Sequence, residues 1–189
     1  MGENEIKIGD QTWTNKNLDV ETYRNGDEIP QVKDKEEWAN LTTGAWCYYD
    51  NNPTNGPTYG KLYNWYAVND ARGLAPNGYH IPTDAEWTIL IDNIGDKAGK
   101  QMKSKSGWLK YVFSKHDGNG TNSIGFAGLP GGYHHILGFN CIGSNGYWWS
   151  SSEDLTCYAL IRYLSNNNGD VDRVNFHKQY GFSVRCLRD

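Results

Sequence analysis

The sequence predicts an α+β domain with two helices and short, mostly antiparallel strands gathered in its C-terminal half. Three observations carry this. Glycine reaches 22 residues and methionine only 2, while 8 Trp and 13 Tyr supply the bulk, a profile of many turns joining short strands around an aromatic core. One segment, after Pro82, has clear helical spacing. From Gly107 onward no helical period survives.

In chain order, Ile6 and Ile8 alternate as in a strand, Trp13 begins another, and Asn25-Gly26-Asp27 marks a turn. Residues 33 to 40 could form one short helix. Ala45-Trp46-Cys47-Tyr48-Tyr49 reads as a buried strand, and Asp50 to Pro57, with three Asn, two Pro and one Gly, as a loop. A helix is expected around Leu62, Trp65 and Tyr66. The main helix follows Pro82: Thr83 and Glu86 form a capping box, Trp87, Leu90, Ile91 and Ile94 repeat along one face, and Gly95 is the stop. Strands are then expected over Gly146–Ser151, Cys157–Ser165, Val171–His177 and Gly181–Leu187, the middle two joined by the hairpin signal Asn166-Asn167-Asn168-Gly169-Asp170. No composition shift divides the chain, so residues 1–189 read as one domain.

Several function classes are excluded or disfavoured at this level. The net charge is −4 and the 18 basic residues are scattered, which leaves no electrostatic footprint for nucleic acid. No apolar run is long enough to span a membrane as a helix. Cys47, Cys141, Cys157 and Cys186 are far apart without a C-x-x-C pair, so they do not suggest zinc. Two disulfides and four free thiols are both open. His134 and His135 adjoin Tyr133, but neighbouring strand residues point to opposite faces and seldom ligate one ion; a metal there would also need His177 or Asp172. No nucleophile elbow or phosphate loop appears, and none of the histidines (80, 116, 134, 135, 177) makes a helical metal spacing. No cofactor is implied.

Five segments then become recognisable. Ala45–Tyr49, Tyr59-Gly60-Lys61-Leu62-Tyr63-Asn64-Trp65, Gly78-Tyr79-His80-Ile81-Pro82-Thr83-Asp84-Ala85-Glu86-Trp87, Gly146-Tyr147-Trp148-Trp149-Ser150-Ser151-Ser152-Glu153 and Tyr180–Asp189 together resemble the Fibrobacter succinogenes major paralogous domain, from about Ile8 to the C-terminus. The third segment also resembles formylglycine-generating-enzyme-like domains. The resemblance implies a C-type-lectin-like fold in bacterial surface or secreted proteins, commonly lipoproteins, that bind or adhere rather than catalyse. Met1-Gly2-Glu3-Asn4-Glu5 is neither a signal peptide nor a lipidation site, so an export leader is expected to lie outside this sequence. The motif tryptophans Trp87, Trp148 and Trp149 are expected in the core. The calcium and sugar triplets of lectins of this fold are absent: Ala75-Pro76-Asn77 lacks the carboxylate, and Val68-Asn69-Asp70 only approximates its companion.

A second resemblance is to variable proteins of diversity-generating retroelements, which carry diversified residues on this fold near the C-terminus. An asparagine codon rewritten at its adenines cannot become Lys, Gln, Glu, Met or Trp. None of these occurs from Asp154 to His177, or from Asp117 to Tyr147. The expected contact residues are Tyr133, His134, His135, Tyr158, Ile161, Tyr163, Ser165, Asp170, Asp172, Val174, Phe176 and His177, with Arg162 and Arg173 nearby. Ile161, Tyr163 and Ser165 are expected to face outward, and Leu160, Arg162 and Leu164 inward. The expected partner is a protein or glycan on another cell or surface. A fixed adhesin or structural module of the same family, and a formylglycine-generating-type oxidase, are the alternatives.

Overall fold

The computed structural model describes residues 4–113 and 117–189; His116 lies outside them. Strands β1 (Glu5–Ile8) and β2 (Gln11–Thr14) form a hairpin. Helix α1 (Lys35–Ala39) starts where the Asp34 carboxylate accepts the Glu36 and Glu37 N–H groups, and it buries Trp38. Strand β3 (Trp46–Cys47) pairs with β4 (Leu62–Tyr63).

Between them, residues 50–57 are not the loop that their composition suggests. Two 3-10 turns (Tyr49–Asn51 and Pro53–Asn55) run into helix α2 (Gly56–Tyr59). The Asn52 side chain accepts the Thr54 N–H, and Pro53 and Pro57 sit in first turns, where a missing N–H costs nothing.

Helix α3 (Trp65–Val68) is capped by Asn64, and Leu62 belongs to β4 instead of to this helix. Strand β5 (Tyr79–His80) precedes α4 (Asp84–Ile94), whose capping box is complete: Thr83 Oγ1 accepts the Glu86 N–H and the Glu86 carboxylate accepts the Thr83 N–H. Helices α2 and α5 (Ala98–Met102) were not expected, so the described residues hold five helices, against the two of the expected class and the short one considered at 33–40.

The C-terminal half is a five-stranded sheet of order β10-β9-β8-β6-β7, built from β6 (Gly131–His135), β7 (Gly138–Ile142), β8 (Asn145–Leu155), β9 (Tyr158–Ser165) and β10 (Asp172–His177). Its pairings are antiparallel except β6 with β8. This is the α+β class, with mostly antiparallel strands. No helix among the described residues is long and apolar enough to cross a membrane.

Residues 181–187 are not one strand. Their backbone is shared crosswise: Gly181 bonds His134 in both directions, Phe182 bonds Tyr63, and the Ser183 carbonyl accepts from Trp149. Only β11 (Leu187–Arg188) is regular, and it completes a second sheet of order β1-β2-β11-β5. All seven residues are buried, so this tail stitches both sheets together.

The cores divide accordingly. One cluster joins Trp149, Ile161, Phe182, Val184 and Tyr63. A second joins Trp13, Trp87, Phe126, Trp148 and Leu164 beneath α4. Trp87, Trp148 and Trp149 are all core residues, as the motifs imply. All four cysteines are free, with Cys47 and Cys186 buried and Cys141 and Cys157 exposed.

Candidate ligand-binding face

The five-stranded sheet has one face under α4 and another left half-open. Register places Asp172 beside Tyr163, Val174 beside Ile161 and Phe176 beside Ala159, while Tyr147 lies across from Tyr163 on β8. Alternation along each strand therefore sends Tyr147, Tyr163, Asp172, Val174 and Phe176 to the same side. Tyr133 on β6 and Tyr180, just after β10, join them.

The rings form a continuous assembly. Tyr147 stacks on Tyr163 at 5.4 Å between centroids and on Phe182 at 5.2 Å. Tyr133 meets Tyr147 edge-on at 5.2 Å and stacks on Tyr180 at 5.8 Å, and His135 stacks on Tyr180 at 5.7 Å. Phe176 packs on Tyr180 at 5.1 Å. Tyr133, His135, Tyr163, Val174, Phe176 and Tyr180 are half-buried, with Phe182 and Ile161 closing the base. Next to Tyr133, Gly132 lets β7 approach β6: its φ is +64°, and a Cβ there would lie 2.4 Å from the Asn140 carbonyl oxygen.

Electrostatically the rim stays neutral apart from one carboxylate. Burial raises the pKa of the Tyr133 and Tyr163 phenols, with Asp172 adding to the rise at Tyr163, and burial lowers that of His135. The Asp172 Oδ2 makes no hydrogen bond. The Tyr147 hydroxyl accepts from Asn145 Nδ2 at 2.8 Å.

Six of the expected contact residues come together here: Tyr133, His135, Tyr163, Asp172, Val174 and Phe176. Three others are buried and offer no surface. Ile161 is fully enclosed because the open face is covered at its centre by Phe182 and its neighbours. Ser165 is buried where its hydroxyl meets Asn145. His134 points to the opposite side of β6, stacked on Phe139 at 4.2 Å and edge-on to Trp38 at 4.5 Å; burial pushes its pKa down to about 4.

Tyr158 and His177 contact each other at 4.2 Å, but their parity puts them on the other side of the sheet, with Arg162 and Arg173. Asp170 is exposed in the β9–β10 turn beside Lys97. Arg162 and Arg173 both bind the Asp84 carboxylate at the start of α4, so neither serves the open face. Sequence reasoning missed Tyr147, Tyr180 and Phe182 because they sit inside motif segments that read as scaffold. Their parity with Trp149 and Val184 was the available signal. Among the described residues no three His, Cys, Asp or Glu side chains converge as a metal site.

The family model of the Fibrobacter succinogenes major domain matches residues 6–188. The chain belongs to this family. No curated protein and no solved structure matches it. In this Fibrobacter succinogenes major domain, the segments 146–153 and 180–189 account for both the closed core and the floor of the open face. Trp148 turns toward α4 and Trp149 toward the aromatic assembly, where its Nε1 donates to the Tyr63 carbonyl.

Proposed function

We propose that this domain is a non-catalytic, extracellular binding or adhesion module of C-type-lectin-like fold, and that it meets its ligand with the half-open aromatic face. The observation that carries the reading is the stacked rim of Tyr133, His135, Tyr163, Phe176 and Tyr180, left partly exposed over a rigid strand scaffold. Rigid amphipathic rings supply contact area at low entropic cost, and their hydroxyls add directional hydrogen bonds. The half-buried Asp172 carboxylate beside Tyr163 gives the rim a negative charge. A protein or glycan surface suits such a face. Attachment to a cell surface, as a lipoprotein or otherwise, fits this role.

Diversification by a retroelement is the finer part of the proposal. The absence of Lys, Gln, Glu, Met and Trp from Asp154 to His177 supports it. Packing limits where variation is tolerable: Tyr163, Asp172, Val174 and Phe176 have room for other side chains, and Ala159, Ile161 and Arg162 do not. Sequencing this gene across a population of its source cells tests the proposal. Adenine-directed variation at those four codons, with the three core codons constant, is the expected result; uniform invariance would sink diversification and leave a fixed adhesin. Binding itself is tested separately with Tyr163→Ala and Phe176→Ala in the folded domain. Unchanged affinity of both for a captured surface ligand would remove the aromatic face from the interface.

A further inference from the structure

A cavity of about 500 Å³ lies elsewhere in the molecule, between the segment after β2, helix α2 and the stretch around Ala127 and Leu129. It shares no residue with the aromatic face. Its floor includes Arg185, which is 1% exposed.

The surroundings of that guanidinium are unusual for a buried cation. Nε donates to Asn17 Oδ1 at 2.7 Å. Nη1 donates to the carbonyls of Thr14 at 2.9 Å and Phe126 at 2.8 Å, and Nη2 to that of Ala127 at 3.2 Å. Every one of these acceptors is neutral. A guanidinium carries one more donor than these bonds use, on Nη2. Phe126 stacks beneath it at 4.5 Å. Among the described residues the cavity's one acidic lining residue, Asp19, is engaged by Lys61 at 2.6 Å. Desolvation lowers the Arg185 pKa to about 9, so the group remains cationic at neutral pH.

Burying a charge without a counter-charge is costly, and an anion entering the cavity would offset that cost. The walls specify the remainder of the ligand. Pro57, Ala127 and Leu129 are apolar, Thr58 and Lys16 are exposed at the mouth, and the buried Asn15 Oδ1 has no hydrogen-bond donor. The volume suits a small organic molecule.

We propose that this cavity is a binding site for a small organic carboxylate, its anionic end directed at Arg185 and its apolar body against Pro57 and Leu129. Such a carboxylate could be a free organic acid or the acid group of a uronic sugar.

The test uses the whole domain at pH 7 and constant ionic strength, with sodium benzoate, sodium glucuronate and the neutral analogue benzamide as probes. Thermal unfolding and the NMR signal of the Arg185 Nε–H are read together. At least one carboxylate is expected to raise Tm and shift the Arg185 signal, while benzamide does neither; which one does so distinguishes the two sources. Thr58→Glu, at an exposed position, should weaken that binding by about tenfold or more through like-charge repulsion, and Thr58→Gln should leave it within about twofold. Tyr163→Ala should leave it unchanged. The proposal fails if neither carboxylate shifts the Arg185 signal, if benzamide matches them, if Thr58→Glu has no effect, or if Tyr163→Ala abolishes the response in a folded domain.

Discussion

The two faces of the five-stranded sheet are made from the same strands, yet one is closed and the other is not. On the closed face, Trp148 and Leu164 pack under α4, and Arg162, 2% exposed, is held by Asp84 and by the Thr88 hydroxyl. On the other face, Tyr147 packs on Tyr163 and Phe176, Phe176 packs on Phe182, and the outer row of Tyr163, Val174 and Phe176 stays half-exposed. Burial on the first face is completed by another element with a matching charge. On the second it stops at half, with rings serving as both core and surface. A closed face is sensitive to the loss of any partner. An open one tolerates change at its outer row.

That contrast can be broken by experiment. The largest effect is expected from Asp84→Ala, which strands the buried Arg162 charge without its partner. Stability should fall by about 3–5 kcal/mol in chemical denaturation, as for a broken buried pair. A loss below about 1 kcal/mol would show that water or Thr88 suffices to hold Arg162.

A somewhat smaller effect concerns His134, on the far side of β6. Its folded pKa of about 4 lies below its ordinary value of 6.5, so the unfolded chain binds the proton more readily. The stability contribution is therefore present above about pH 6.5 and is lost as pH falls from there toward 4. The loss is on the order of 3 kcal/mol. His134→Phe keeps the ring between Trp38 and Phe139 and should flatten that part of the pH profile.

On the open face, Tyr163→Ala and Phe176→Ala should each cost only about 1–2 kcal/mol, because the rings are half-exposed already. A cost comparable with that of Asp84→Ala would make the face a core layer and erase the contrast. The smallest effect should come from His80, half-exposed between the Glu86 and Asp189 carboxylates at 2.9 Å and 2.8 Å. Burial alone would lower its pKa, but these two hydrogen bonds outweigh burial and hold it above 6.5. Its contribution is present below 6.5 and fades as pH rises through the raised value, opposite in sign to His134. His80→Gln should remove this weak alkaline decline.

Much of the scaffold was legible because it rests on local chemistry. The Thr83–Glu86 box and the Gly95 stop delimit α4 from sequence alone, since capping is decided within one helical turn. The β9–β10 hairpin followed from its Asn- and Gly-rich turn, and its two strands each start one residue after the expected position and end at the expected residue. The family motifs fixed the class and placed Trp87, Trp148 and Trp149 inside. Residues 181–187 read as a strand because their composition is apolar throughout. Their hydrogen bonds go to His134, Tyr63 and Trp149, partners up to 119 positions away that no local pattern announces.

The candidate site divides in the same way. Period-two alternation correctly grouped Ile161, Tyr163 and Ser165 on one side of β9, because the side-chain direction of a strand is a backbone property. It could not tell which of them would see solvent. That depended on Phe182, brought over Ile161 by the crossing tail, and on Asn145, brought against Ser165 by β8. Arg162 and Arg173 lie near the expected contact residues in sequence, but α4 delivers Asp84 to both. The sequence by itself determined the class, the limits of α4, the β9–β10 turn and the family. Tertiary structure alone decided which residues of a shared face are core, which cations are already paired, and where a buried arginine meets a cavity, because each depends on groups that only the folded chain brings together.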